Sequence, residues 1–222
     1  LMLLGYQRTA NIRRHSRMAW EAGDREPLAA EVAERGKEIF AGAVAEIWTE
    51  YQPLRLYLKQ TGRVPQHVID IGCGQAITDA FFAADFGSRL TLVDIEMTEG
   101  QYHLWKDEGS GYGSLADARA MLQANAVASD HITTINPRLS PKAMQDLRGD
   151  MVSSFYSCGF HYPIADYADL MLQTVAAGGI VVLDMRRRYL NKPDDALRAL
   201  MAASKQTVVS EEPKAQRIVF HQ

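Results

Sequence analysis

The sequence is poor in several features that would settle its class at once. Cysteine occurs twice in 222 residues, at Cys73 and Cys158. That separation offers neither the close spacing of a metal-binding pair nor a disulfide framework, and it fits a reducing compartment. No run of about 18 apolar residues occurs, so no segment reads as a transmembrane helix. The opening LMLLG is too short for a secretory signal and passes at once into QRTANIRR, so a cytoplasmic location is expected. Neither sign of charge dominates: 24 lysines and arginines against 27 acids give a net charge of −3. This balance argues against a general attraction to nucleic acid or to an anionic membrane, and any basic site must be local. Repeats and low-complexity tracts are absent too. What remains, 47% hydrophobic and 23% charged, is the composition of a soluble globular domain with room for a sizeable core.

The texture of the chain changes near Pro65. Residues 1–63 carry apolar positions at helical spacing (Ile39, Val44, Ile47, Trp48, then Leu54, Tyr57, Leu58), which predicts two or three helices and no strand, with a break at Pro53. Residues 64–222 alternate short apolar runs with longer amphipathic ones. HVIDI, RLTLVDI, HITTI, MVSSFYS and GIVVLDM read as buried parallel strands with helices on both faces. KQTVVSEE and QRIVFHQ, joined around Pro213, read as an edge hairpin.

The first strand hands over to a helix in HVIDIGCGQAITDAFF. Gly72 and Gly74, with Cys73 between them, allow a tight turn and the approach of a ligand to bare backbone, while the helix start offers unpaired N–H groups to an anion. Asp70 lies just before the turn. Asp94 ends the next strand about twenty residues on, a spacing at which a carboxylate can take the two hydroxyls of a ribose. Such turns also occur without a ligand; the acid at Asp94 favours the functional reading. A dinucleotide fingerprint would place a third glycine where Ile77 stands, which weakens a nicotinamide site.

VIDIGCG and LTLVDIE together resemble the first two motifs of the class I S-adenosylmethionine-dependent methyltransferases, with Ala76 as the third small residue. The resemblance runs from about Val64 to the C-terminus. It implies a Rossmann-like, doubly wound seven-stranded sheet of order 3-2-1-4-5-7-6 with an antiparallel C-terminal edge, and an N-terminal helical cap, residues 1–63, over the cofactor. It further implies S-adenosylmethionine as cofactor, with Gly72 and Gly74 beside its methionine portion, Asp70 near its amino group, Asp94 on the ribose and Ile95 on the adenine. Asn136 would stand near the adenine amine; as a turn residue before Pro137 it has equal claim.

Ligands of such sheets bind beyond the carboxyl ends of the strands, so SFYSCGFHY after the fourth strand should face the methyl group. Ser157, Cys158, Phe160 and His161 fall there, in an S-x-x-x-H pattern similar to that of small-molecule and sugar-type methyltransferases. The stretch is unlike the motifs of the DNA enzymes, and Ser157 is not the acid that a metal-dependent catechol-type site would want, so no metal is expected. His161 is the candidate base for a hydroxyl acceptor, since histidine titrates near a pKa of about 6.5. Its bland alternative is a loop hydrogen bond while Phe160 and Tyr162 pack the substrate. Asp184, ending the fifth strand, is expected to orient His161, to act as base, or to cap a helix. Arg186 and Arg187, in MRRRY, would meet a carboxylate or phosphate, or stand as solvated surface. The basic run Asn11–Arg17 would fold over the same opening or form a mobile arm. Tyr112 belongs to a glycine-rich stretch, Lys106 to Ser114, that reads as a lid bearing aromatic residues, followed by a helix capped by Ser114. That insert is similar to one in bacterial sugar or polysaccharide O-methyltransferases. The expected reaction is therefore methyl transfer to a hydroxyl of a small sugar-like or anionic molecule. Methylation of RNA or protein, and a cofactor-binding module without catalysis, stand as alternatives. Oligomeric state is not legible.

Overall fold

A computed structural model describes residues 1–96 and 113–222. The predicted lid residues 106–112, with Tyr102, Trp105 and Tyr112, lie outside the described residues, apart from the segment's end at Gly113 and Ser114. The chain divides into two compact units, Leu1–Gln52 and Pro53–Gln222.

The first unit is helical: α1 (Met2–Gln7), α2 (Arg14–Glu21) and the greater part of α3 (Glu26–Gln60). Tyr6 stacks on Trp20 with ring centroids 5.3 Å apart, and the Arg25 guanidinium lies 3.6 Å above the Trp20 ring. Expectation and structure differ over the break in α3. The helix continues through Pro53, and its non-helical residue is Arg35 (φ −127°, ψ 19°). Proline at 53 removes one donor, and the carbonyl so freed is that of Thr49, which is exposed and can be hydrated. Arg35 adjoins Gly36, the residue type that, proline aside, supports a helix least. The basic run Asn11–Arg17 is not a free arm. The Arg13 guanidinium donates to Glu34 at 2.8 and 2.9 Å, the Arg13 N–H bonds the buried Glu31 carboxylate, and Arg17 pairs with Glu21.

The second unit is built on one seven-stranded sheet, ordered β3-β2-β1-β4-β5-β7-β6. The strands are β1 (His67–Ile71), β2 (Arg89–Val93), β3 (Ile132–Ile135), β4 (Met151–Ser154), β5 (Ile180–Arg186), β6 (Lys205–Glu211) and β7 (Ala215–His221). The first five pair in parallel, and β7 runs antiparallel to both β5 and β6. Helices α4 (Ile77–Phe86), α5 (Leu115–Ala124), α6 (Pro141–Gln145), α7 (Ala168–Ala176), α8 (Arg187–Asn191) and α9 (Asp195–Ala202) follow or link the strands. Because β1, β4 and β5 are covered on both faces, they read as near-continuous apolar runs. Ile69, Ile71, Val152, Val181, Leu183 and Phe220 are fully buried in one cluster, each contributing on the order of 1.5–3 kcal/mol.

Strand β4 ends three residues earlier than its apolar run suggests. Tyr156 takes a left-handed conformation (φ 50°) that turns the chain out of the sheet beyond Ser154. Since β1 to β5 are parallel, the residues after Ile71, Val93, Ile135, Ser154 and Arg186 emerge along one edge. Among the described residues no helix is long and apolar enough to cross a membrane.

Candidate functional site

The turn after β1 is held by its neighbour strand. The Gly72 N–H donates to the Val93 carbonyl at 2.7 Å, and the Ala76 N–H to the Cys73 carbonyl at 2.8 Å. Gly72 (φ 76°) and Gly74 (φ 55°) are both left-handed, but they serve differently. A Cβ on Gly72 would lie 2.0 Å from the Ser157 Oγ, whereas one on Gly74 would meet no described atom within 4 Å. Gly72 is thus required by a neighbouring loop, and Gly74 leaves open space beside the helix start. Gly72→Ala should therefore destabilise the fold by about 1–3 kcal/mol, with Gly74→Ala near the lower end of that range. Urea denaturation of the two variants checks this ranking.

Asp94 closes the turn from the next strand. Its Oδ2 accepts the Gly74 N–H at 3.0 Å and its Oδ1 the Glu96 N–H at 3.2 Å. Burial outweighs these bonds and raises its pKa above the ordinary carboxylate value. Each carboxylate oxygen keeps a further acceptor site for a ligand donor. Ile95 follows, half-buried. Glu96 (φ 58°) then binds three segments together: its carboxylate accepts from the Leu115 N–H at 3.1 Å and from Asn136 Nδ2 at 3.0 Å. Asn136 also holds the Ile95 carbonyl at 3.3 Å and accepts the Arg138 N–H, so it is at once a turn residue and a brace for the segment after β2. Ser114 caps α5 by accepting the Asp117 N–H at 3.2 Å, and Gly113 lies against Gly74, whose carbonyl would be 3.1 Å from a Cβ there.

Behind the turn lie two buried acids. Asp70 on β1 accepts a hydrogen bond from Ser153 Oγ at 2.8 Å. Burial raises its pKa to about 6, against the pull of that bond. Asp79, in the first turn of α4, is wholly buried, and among the described residues neither of its oxygens makes a hydrogen bond of ordinary geometry. Burial and the adjacent Asp70 raise its pKa well above the usual range. Cys73, also buried, is pushed up by burial and by the same acids.

The loop after β4 is tightly made. Ser154 Oγ donates to the Ile71 carbonyl at 2.7 Å and accepts the Cys158 N–H at 2.9 Å, fastening the loop to β1. The Phe160 and His161 N–H groups both donate to the Ser157 carbonyl, at 3.1 and 2.8 Å. Tyr156, Phe160 and His161 then form an aromatic run, edge to face, with centroids 5.1 and 5.0 Å apart. The Arg186 guanidinium lies 4.6 Å above the Phe160 ring, and burial with the nearby Arg188 lowers its pKa. Tyr162 turns inward: it is buried in the core, its hydroxyl 3.2 Å from Ser157 Oγ, and so supports the loop. Burial raises its pKa.

Two further expectations change with the geometry. Asp184 is buried, and both its oxygens are held by Arg217, at 2.7 and 2.8 Å, while Oδ2 also accepts the Tyr156 N–H at 3.2 Å. A carboxylate so engaged is an anchor for the loop and not a free base. Arg187 is likewise spent on the edge hairpin, donating to the Glu212 carbonyl at 3.1 Å and to the Glu211 carboxylate. Arg186, by contrast, lies over the Phe160 ring.

Asp70, Gly72, Cys73, Gly74, Asp94, Ile95, Asn136 and Ser157 thus gather along one sheet edge, with Phe160 and His161 on the loop after β4 and Arg186 at the end of β5. Asp79, Glu96 and Arg217 escaped the reading of the sequence. An acid in the first turn of a helix reads as a partner of the helix dipole, and Arg217 meets Asp184 only once the hairpin register is known. Among the described residues no group of three or more histidine, cysteine or acidic side chains is placed to hold a metal ion.

No family model and no curated protein matches the sequence. Solved structures do. An O-methyltransferase family protein from Burkholderia thailandensis superposes with TM-score 0.54 at 9% identity, over 94% of this chain and 70% of that one. A ribosomal protein L11 methylase from Lactobacillus delbrueckii subsp. bulgaricus gives 0.51 at 17% identity, over 77% of each chain. Monomeric WbdD gives 0.50 at 15% identity, over 79% of this chain, which spans 40% of that protein's length. At such identities the likeness concerns architecture. The sheet order, the glycine turn closed by Asp94 and these superpositions agree that the chain has the fold of the class I S-adenosylmethionine-dependent methyltransferases.

Proposed function

We propose that the protein is an S-adenosylmethionine-dependent methyltransferase acting on a hydroxyl of a small, sugar-like or anionic molecule. The observation that carries this reading is the bond from the Gly74 N–H to Asp94, which sets a carboxylate with spare acceptor capacity beside open space at a left-handed glycine. The residues present suit the cofactor: Asp94 for the ribose hydroxyls, Ile95 for the adenine face, and the buried acid Asp70 for a cationic amino group. When bound, the cofactor supplies a methyl group already activated by the positive charge on sulfur.

The chain must then hold an acceptor oxygen in line and take its proton. His161 is suited to this. Its ring is half-buried and lies edge to face with Phe160, on the loop that follows β4. Phe160 offers an apolar face, and Arg186, stacked on it, offers a cation for a carboxylate or phosphate. Asp184 anchors the loop through Arg217, so the base role falls to His161 alone. That the Burkholderia neighbour is an O-methyltransferase family protein is in keeping with a hydroxyl acceptor.

Asp94→Ala should weaken S-adenosylmethionine binding by about 2 kcal/mol, roughly thirtyfold, the scale of hydrogen bonds to a charged group. Equilibrium dialysis with labelled cofactor measures it. The acceptor class is tested by incubating the protein with methyl-labelled S-adenosylmethionine and a cell extract fractionated by size. Label in the small-molecule fraction is expected. Label in RNA or protein would overturn the acceptor assignment, and cofactor binding with no transfer to any fraction would indicate a module without catalysis.

A further inference from the structure

The buried acids behind the turn have a chemistry of their own. Asp79 is wholly enclosed, yet among the described residues neither of its oxygens makes a hydrogen bond of ordinary geometry, its own N–H being the donor nearby. The group beside it is the Asp70 carboxyl, itself 4% exposed. Two ionised carboxylates cannot sit side by side away from water, and such a pair keeps one proton. Which oxygen carries it follows from the neighbours. Ser153 Oγ donates to Asp70 at 2.8 Å and so favours its anion, while Asp79, with no more than its own N–H nearby among the described residues, is the better placed of the two to donate.

The other charges facing the pair do not offset it. Asp94 beyond β2 and Asp184 on β5 are both acidic; Asp184 is already neutralised by Arg217 on β7, and Cys73 on the turn is a neutral thiol. Among the described residues no cation pairs with Asp70 or Asp79.

We propose that Asp79 holds a proton and donates it to Asp70, so that the pair presents one negative charge, on Asp70, to the cationic group of a ligand at the Gly72–Gly74 turn, and accepts that group only after Asp70 has lost its own proton. Asp79 is then a positioning residue that sets the pH range of binding. The step balances simply: below the titration of Asp70, an incoming ammonium displaces its proton to the buffer. Because burial places that titration near pH 6, ligand affinity should be level above it and fall, at most tenfold per pH unit, below it. The identity of the ligand rests on the methyltransferase reading; the proton on Asp79 does not.

Two measurements separate these. The first uses the protein alone. Its infrared spectrum near neutral pH should contain the carbonyl band of a protonated carboxylic acid, which moves when aspartate is labelled with heavy carbon and is lost in Asp79→Asn. Absence of such a band from the labelled wild type overturns the proposal, even if the variant fails to fold. The second is calorimetry with S-adenosylhomocysteine in buffers of different ionisation enthalpy. Binding should release roughly 0.7 of a proton at about pH 5.5 and almost none at about pH 8. Asp79→Ala should move the acidic limb up by about one pH unit, and Asp79→Asn, whose amide can donate to Asp70, should move it back. Binding at both pH values with no proton released overturns the proposal and leaves the methyltransferase reading in place. No binding at either pH overturns that reading, and the infrared band still decides the acid pair.

Discussion

Replacing His161 by asparagine should lower the rate of methyl transfer by about 10² to 10⁴, the usual contribution of a general base, while leaving cofactor affinity nearly unchanged. Affinity is spared because the ring belongs to the loop after β4, whereas the residues assigned to the cofactor lie on the turn after β1 and at the ends of β2 and β3. The pH profile adds a second constraint. A neutral imidazole must take the acceptor's proton, so the wild-type rate should fall as pH drops through the histidine's titration, and this limb should vanish in the variant. The rate must be read at saturating cofactor, where the titration of Asp70 is already satisfied by binding and cannot mimic that of His161. A variant that keeps most of its rate and the same acidic limb would make His161 a structural member of the aromatic run formed with Tyr156 and Phe160.

The second large effect concerns stability. Arg217 and Asp184 face each other across β5 and β7, both almost fully buried, and Arg217 also covers the Phe155 ring at 4.5 Å. Arg217→Met keeps much of the apolar bulk but leaves the Asp184 charge enclosed without its partner. The expected loss is about 3–5 kcal/mol in urea denaturation. Replacing both residues, as Arg217→Met with Asp184→Leu, should recover most of that loss, because no charge then remains buried. A double variant no more stable than the single one would place the cost in lost packing over Phe155. The loop is expected to loosen in either variant, since the Asp184 oxygen that accepts the Tyr156 N–H is disturbed or removed.

The parts of the fold that depend on patterning were open to reading from the chain. HVIDI, RLTLV and IVVLDM are largely apolar because central parallel strands are covered on both faces, and with the shorter ITTI and MVSS they form β1 to β5; Thr133 of ITTI is exposed. The edge hairpin was marked by the turn at Pro213. Asp70, Gly72, Gly74 and Asp94 could be singled out because a fixed sequence spacing, strand to turn to helix to strand, brings them to one edge. What could not be read depends on register and on side-chain direction. That Asp79 comes beside Asp70 depends on how α4 packs against β1. Arg217 lies opposite Asp184 only in the observed β5–β7 register, and without that pair Asp184 looks like a free base. Ser157 filling the space above Gly72 is equally invisible until Tyr156 turns the chain back over the first strand. Pro53 shows the converse, a strong local signal that the helix runs through, with the residue one turn before it, Thr49, exposed.

The central claim is that the edge formed by the Gly72–Gly74 turn and Asp94 is a site for S-adenosylmethionine. Titrating the purified protein calorimetrically, at about pH 8, with S-adenosylhomocysteine and separately with NAD tests it most directly. Saturable binding of S-adenosylhomocysteine in the micromolar range or tighter, weakened roughly thirtyfold in Asp94→Ala and without comparable binding of NAD, is the result expected. Preference for NAD, or equal affinity of wild type and Asp94→Ala for S-adenosylhomocysteine, would contradict it.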